Sequence, residues 1–222
     1  MTPDRSALPW RNLSLLAARA IWRASDKTLF VADLHLGKTA SFRAAGSAAP
    51  SGVSAETLDR LGALVDSCGA SRLVALGDFL HARGSMTKRL SATLRDWRAA
   101  RPCLTCVLVR GNHDRHAGDP DVGSGFACVD APHEFEDLEG RHHPLDDIAA
   151  HRDGPIVLAG HIHPVATMHG PGRDRLTLPC FVVSGRQVVL PAFGEFTGGA
   201  RISGAPGRWL GVTTGSDLFV IR

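Results

Sequence analysis

Tyrosine is absent from the 222 residues, and aromatic residues of any kind make up only 6%. So few rings argue against the extended stacking platform on which many single-strand binders lay successive bases. A nucleic-acid substrate would have to be gripped mainly through its phosphates. Long apolar runs are missing as well. The longest are of strand length and end in polar motifs, so none reads as a membrane span. The first residues, Met1-Thr2-Pro3-Asp4-Arg5, lack the basic-then-apolar order of a signal peptide. The expectation is a cytoplasmic protein that engages no membrane. No strong excess of one charge is present either: the net charge is +3, which alone points to no polyanionic partner. Cysteine is sparse, five residues, and an odd number without a leader argues against a disulfide framework. Cys103 and Cys106 have zinc-ribbon spacing. No second pair completes a site, and the pair leads into a strand rather than a helix, so both are read as structural.

What is present is a repeated pattern of an apolar strand running into metal-ligand residue types. Leu29-Phe30-Val31-Ala32 runs into Asp33-Leu34-His35. Leu73-Val74-Ala75-Leu76 runs into Gly77-Asp78-Phe79-Leu80-His81. Cys106-Val107-Leu108-Val109 runs into Arg110-Gly111-Asn112-His113-Asp114, and Ile156-Val157-Leu158-Ala159 into Gly160-His161-Ile162-His163. Ligand sites in open α/β sheets gather at the carboxyl ends of strands. Four such stretches in one chain, offering carboxylate, amide and imidazole groups, point to a metal-centred hydrolytic site.

Between these stretches the elements are read as follows. Residues 13–23 form one strand, a turn at Ser25-Asp26-Lys27 follows, and residues 28–32 return as the next strand. Residues 37–52 are a loop beside the first motif, carrying Lys38 and Arg43 as candidate phosphate contacts. A helix covers 54–68 with Ser54 as N-cap and Leu58, Leu61, Leu64 and Val65 as its apolar stripe. A second helix covers 86–100, with Leu90, Leu94 and Trp97 on one face. Arg83, Lys88, Arg89, Arg95, Arg98 and Arg101 surround it, either as a track for a nucleic-acid backbone or as a solvated face. Residues 115–125 are a loop, 126–129 and 134–138 short strands, and a helical connection lies around 145–151. The tail is β-rich, with strands over 175–178, 181–183 and 187–190 and a last hairpin pairing 209–213 with 218–221. No composition break marks a second domain, so residues 1–222 are read as one α/β domain. Strands at both ends with helices between suggest two central mixed β-sheets flanked by helices.

In the order D-x-H, G-D-x-x-H, G-N-H-D and G-H-x-H, the ligand stretches resemble the calcineurin-like metallophosphoesterase superfamily. Finer stretches resemble one branch of it: Asp33-Leu34-His35-Leu36-Gly37-Lys38 with Phe42-Arg43, Gly160-His161-Ile162-His163-Pro164, and Leu190-Pro191-Ala192-Phe193-Gly194-Glu195-Phe196-Thr197-Gly198-Gly199. That branch is the bacterial ligase-associated DNA damage response endonucleases of the PdeM type, and the likeness runs from about Leu13 to the C-terminus. It implies a four-layer metallophosphoesterase sandwich and two divalent ions, Mn2+ first, with Fe, Zn or Co as alternatives. One ion would be held by Asp33, His35, Asp78 and His163. The other would be held by Asp78, Asn112, His161 and a histidine of one further motif, either His142 or His143, with His142 preferred. The resemblance also implies a DNA substrate, single-stranded, a repair setting shared with a DNA ligase and a helicase, and a homodimer.

Two such ions can clamp the attacking and leaving oxygens of an in-line displacement at phosphorus and generate a hydroxide between them as nucleophile. His113, next to Asn112, is placed to protonate the leaving oxygen, and Asp114 to orient it. His81 of the G-D-x-x-H stretch resembles a histidine that supports catalysis in repair nucleases. Glu195 has no chemical role in this reading. Two other functions stay open: a phosphoesterase acting on nucleotides or cyclic nucleotides, and a binding scaffold without activity.

Overall fold

Residues 29–31, 73–76, 106–109 and 156–159 are apolar without alternation, the pattern of strands covered on both faces. A computed structural model describes residues 5–146, 153–172 and 174–222 of the chain, and it places all four runs inside two sheets. The first sheet holds seven strands in chain order: β1 (Ala7–Trp10), β2 (Leu13–Leu16), β3 (Ala20–Arg23), β4 (Thr28–Val31), β5 (Arg72–Leu76), β6 (Thr105–Val109) and β7 (Phe126–Val129). β1 to β4 form an antiparallel meander, and β4 to β7 run parallel.

The second sheet holds β8 (His133–Phe135), β9 (Leu138–Gly140), β10 (Ile156–Ala159), β11 (Pro164–His169), β12 (Arg175–Ser184), β13 (Gln187–Val189), β14 (Ala200–Arg201), β15 (Arg208–Thr213) and β16 (Leu218–Ile221). It is mixed: β9 and β13 flank β10 in parallel, while β12 pairs antiparallel with β11, β13 and β15. Among the described residues four α-helices lie between strands, α1 (Lys38–Ala44), α2 (Val53–Cys68), α3 (Lys88–Ala99) and α4 (Asn112–Ala117). Among the described residues no helix is long and apolar enough to cross a membrane.

Successive side chains of a strand point to opposite faces, and here each face has its own core. Leu29, Val31, Leu73, Ala75 and Leu108 meet Leu58, Leu61 and Val65 of α2 and Leu90, Leu94 and Trp97 of α3. Their neighbours Phe30, Val74, Leu76 and Val109 meet Phe135, Leu158, Phe181 and Val188 of the second sheet. A third cluster, with Cys180, Val182, Leu210 and Val212 at its centre, covers the remaining face of that sheet. Two mixed sheets with a helical layer outside the first meet the expected sandwich.

One charged side chain penetrates between the sheets. The guanidinium of Arg23, at the end of β3, is fully buried. It donates from Nε and Nη2 to Asp26 at 2.8 and 2.5 Å. Nη1 reaches the Phe135 carbonyl and Asp137 of the second sheet at 3.2 and 3.0 Å.

Several expected elements take a different form. The single strand over 13–23 is two, β2 and β3, because Arg19 adopts a left-handed conformation (φ 65) and turns the chain. The single strand over 134–138 is likewise split into β8 and β9 by Glu136 (φ 59). The 37–52 loop contains helix α1, and the loop after Asp114 begins inside α4. Helix α2 starts behind Gly52, not Ser54. The Ser54 hydroxyl instead accepts the Gly37 N–H at 2.9 Å, tying the helix to the first motif. The Cys103 and Cys106 thiols are free, and burial pushes that of Cys106 up to about 11. The helical connection expected around 145–151 falls largely outside the described residues.

Of the basic residues around α3, Arg95 bonds Ser91 of its own helix, and Arg98 bonds the carbonyls of Arg101 and Pro102. Arg101 clamps Asp66 of α2 at 2.9 and 2.6 Å. These three guanidiniums hold the fold rather than form a free track.

Candidate metal centre

Every predicted ligand lies just past the carboxyl end of a strand. Asp33 and His35 follow β4, Asp78 follows β5, Asn112 follows β6, His142 follows β9, and His161 and His163 follow β10. Past the strand ends the first two motifs stay zipped. Asp33 N–H donates to Gly77 O, His35 N–H to Asp78 O and Leu36 N–H to Phe79 O, at 3.2, 2.8 and 2.8 Å.

The backbone here is left the ordinary regions. Asp33, His35, Asp78, His161 and His163 all have φ between 46 and 76. Non-glycine residues rarely take such values, and when they do the strain marks a site held in place by its surroundings. Gly77 (φ 79) shows how tightly: a Cβ there would strike the His142 ring.

The hydrogen bonds fix which ring nitrogen faces inward. His142 Nδ1 donates to the Leu76 carbonyl at 3.2 Å, because a carbonyl only accepts. Its Nε2 is left as an acceptor, pointing at Asn112 Oδ1 (2.9 Å), His161 Nδ1 (3.1 Å) and Asp78 Oδ1 (3.3 Å). His163 Nδ1 donates to the Thr197 carbonyl at 3.2 Å, and its Nε2 faces His35 Nε2 at 3.2 Å and Asp33 Oδ1 at 3.5 Å. Two sets of lone pairs thus converge, one on Asp33, His35 and His163, the other on Asp78, His142, His161 and Asn112. His35 Nε2 also lies 3.8 Å from Asp78 Oδ2, so Asp78 stands between the sets. Acceptors aimed at one another at such distances call for a cation between them. Carboxylate, amide and imidazole are the donors of a borderline divalent ion, and a backbone acceptor on the far nitrogen is the usual support of a ligating histidine. The residues fit metal ions.

Electrostatics agree. Burial drives the His35 imidazole down to about 3 and, with Lys38 and His113 near, the His81 imidazole down to about 4, so both rings are neutral at neutral pH and offer lone pairs. Burial alone would raise Asp78, but its hydrogen bond and charge pairing with His142 and the His113 amide bring it down to about 2. Burial opposes charge on His142, yet Asp78 and Asp33 lift it above the ordinary histidine value: with no metal ion present the two carboxylates draw a proton onto Nε2, the position whose lone pair a bound cation would take instead. His143 is exposed and packs at a tilt against His161, 4.1 Å between ring centroids, whereas His142 is buried at the centre.

The other predicted residues surround these sets. His113 Nδ1 donates to the His81 carbonyl at 2.5 Å, which leaves its half-exposed Nε2 on the site side, 3.9 Å from Asp78 Oδ2. The His81 ring stacks on His113 and lies 3.4 Å, Nδ1 to Nδ1, from His35. Asp114 does not orient His113. Its carboxylate accepts the Leu80 and Gly111 amides at 3.0 and 2.9 Å and so binds the second motif to the third. Lys38 stands close enough to perturb His35 and His81. The Arg43 guanidinium turns away to the carbonyls of Ala49 and Pro50.

The structure gives Glu195 a place and adds Arg19 and Arg60, which the sequence did not single out. Glu195 pairs with Arg19 at 3.1 Å and with Arg60, which also reaches the Phe193 carbonyl. This clamp fixes the 193–197 loop, whose Gly194 packs directly on Leu34: a Cβ would overlap the Leu34 carbonyl. The same loop supplies the Thr197 carbonyl to His163. A backbone acceptor leaves no trace in residue types, so only the glycines of 194–199 hinted at it.

A family model described as calcineurin-like phosphoesterase matches residues 27–173 of the chain. The crystal structure of Pseudomonas putida nuclease MPE is similar, with a TM-score of 0.81 and 38% identity over 98% of this chain and 100% of that one. No curated protein matches.

Proposed function

The chain belongs to the calcineurin-like phosphoesterase family, and from that premise we propose that it is an endonuclease that hydrolyses phosphodiester bonds of single-stranded DNA with two divalent ions, Mn2+ foremost. The observation that carries this reading is the convergence of the two acceptor sets on either side of Asp78. Asp33, His35 and His163 would hold one ion and Asn112, His142 and His161 the other, with Asp78 shared. When bound, the ions supply an activated water and neutralise the phosphate's non-bridging oxygens.

The chain's own groups do the rest. The His81 carbonyl keeps the Nδ1 proton of His113 in place, so a second proton on Nε2 is the one available to the leaving oxygen. The stacked His81 ring limits how far that imidazole can swing. Lys38, next to the first motif, offers a positive charge to a phosphate oxygen. The nuclease in the structural comparison supports a nucleic-acid substrate.

The test is cleavage of a closed circular single-stranded DNA in Mn2+ at low salt, beside Asn112→Ala. A circle has no ends, so linear product requires an internal cut. Linear product from the wild type, lost in the variant, is the expected result. An intact circle with a small phosphodiester still hydrolysed would assign the site to nucleotide substrates instead.

A further inference from the structure

The chain is poor in aromatic residues, and its exposed rings are not scattered. The five large apolar side chains exposed among the described residues include two rings, Phe42 and Phe196, and both stand at the metal cluster. The His35 ring centroid is 5.4 Å from that of His81 and 5.0 Å from that of His163. Phe42 meets His81 edge-on at 5.8 Å, and Phe196 lines one hollow of about 180 Å³ with His163, Thr197 and Arg19. The two rings therefore stand beside different members of the cluster, Phe42 at His81 and Phe196 in the hollow that His163 lines.

Single exposed apolar residues are ordinary on protein surfaces, but the presentation of Phe196 is not. Its backbone is left-handed, φ 59, where a bulky side chain is an outlier and Gly or Asn would sit more cheaply. Its neighbours on both sides are tied down: Glu195 by Arg19 and Arg60, Thr197 by its carbonyl bond to His163. Its backbone position is thus fixed, and the ring stands out to solvent at 59% exposure with no aromatic or cationic contact among the described residues. Phe42 keeps 41% exposure on the short helix α1, with the Lys38 ammonium 5.8 Å from its centroid. A ring with a cation over one face and the other left for a base, next to a phosphate-cutting centre, is the surface an unpaired nucleotide offers in mirror image: a base to stack and a phosphate to neutralise.

We infer that Phe42 and Phe196 are nucleobase-stacking residues, each holding a base of an unpaired strand on one side of the phosphate that is cut. This rests on the nuclease reading above. Paired bases have no free face to offer, so the two rings select single strands over duplex. Because every base has a π-face, they impose little sequence preference.

The experiment uses the full chain with Mn2+ and a labelled single-stranded DNA whose central run of nucleotides is abasic, so that cuts inside and outside the run are read from one gel. Wild type is expected to cut the base-bearing segments about tenfold faster than the abasic run, in line with the worth of one stacked base. Phe42→Ala and Phe196→Ala should each slow cutting outside the run and leave the rate inside unchanged, while Phe196→Trp keeps the preference. Wild-type cutting that ignores the run overturns the inference and leaves the nuclease reading standing. Alanine variants that lose both rates equally also overturn it, by showing a structural role. A wild type that leaves every position of the strand intact while hydrolysing a small diester removes the nuclease reading, and the inference with it.

Discussion

His142, His163 and His113 each divide their two nitrogens between a backbone carbonyl and the site, and among the described residues no such bond is seen for the exposed His143. His142→Ala removes an acceptor that faces Asn112, Asp78 and His161 and should abolish both metal retention and hydrolysis. His143→Ala, which strips an exposed ring from His161, should keep the metal. Metal content after gel filtration distinguishes them, and retention of metal by His142→Ala would move the assignment to its neighbour. His113 has the opposite profile. His113→Gln should lower kcat by roughly 10²–10⁴-fold, the usual worth of a general acid, with metal content unchanged. The residue types of all these positions were legible in the sequence, because strand-then-ligand stretches are written in consecutive letters. Which nitrogen faces inward was not. It is set by the carbonyls of Leu76, His81 and Thr197, and a carbonyl belongs to every residue alike.

Among the elements, those with strong periodicity were readable. The apolar stripes of α2 and α3 and the unbroken runs of β4, β5, β6 and β10 follow from burial on one face or two. The misread turns share a cause. Arg19 and Glu136 reverse the chain at positive φ without being Gly, Asn or Asp, the residues that normally announce such a turn. α1 was missed because Gly37 and the Gly, Ser and Pro that follow it outweigh seven helical residues. The 193–197 loop also acts as an element. Glu195→Ala frees it from Arg19 and Arg60 and loosens the Thr197 carbonyl behind His163. Metal affinity is expected to fall roughly 10-fold, as for other supports of ligating histidines, with little change in Tm. Titration with a chelating competitor measures it, and unchanged affinity would mean that the clamp serves the loop alone.

Across the molecule, the buried Arg23 joins the sheets. Arg23→Ala leaves Asp26 without its main partner and removes the guanidinium's bonds to the Phe135 carbonyl and Asp137 across the sheets. A loss of about 3–5 kcal/mol is expected in urea unfolding, the cost typical of breaking a buried pair. Burial works against the Asp26 carboxylate, but its bonds from Arg23 and Thr28 hold it below the usual carboxylate range. The folded chain therefore binds that proton less readily than the unfolded one. The pair's contribution is complete above the unfolded value of about 4 and is lost as pH falls below it. Asp26→Asn should flatten that acid limb of the stability curve, and an unaltered limb would place the loss at other carboxylates.

The same two sheets meet again at the other end, where Asp33, His35, Asp78 and Asn112 come from the first and His142, His161 and His163 from the second. Ions shared between those sets, as proposed, would act as rivets through the sandwich. Pulled apart across the layers, the loaded protein would yield abruptly at high force, and the chelated one would peel gradually.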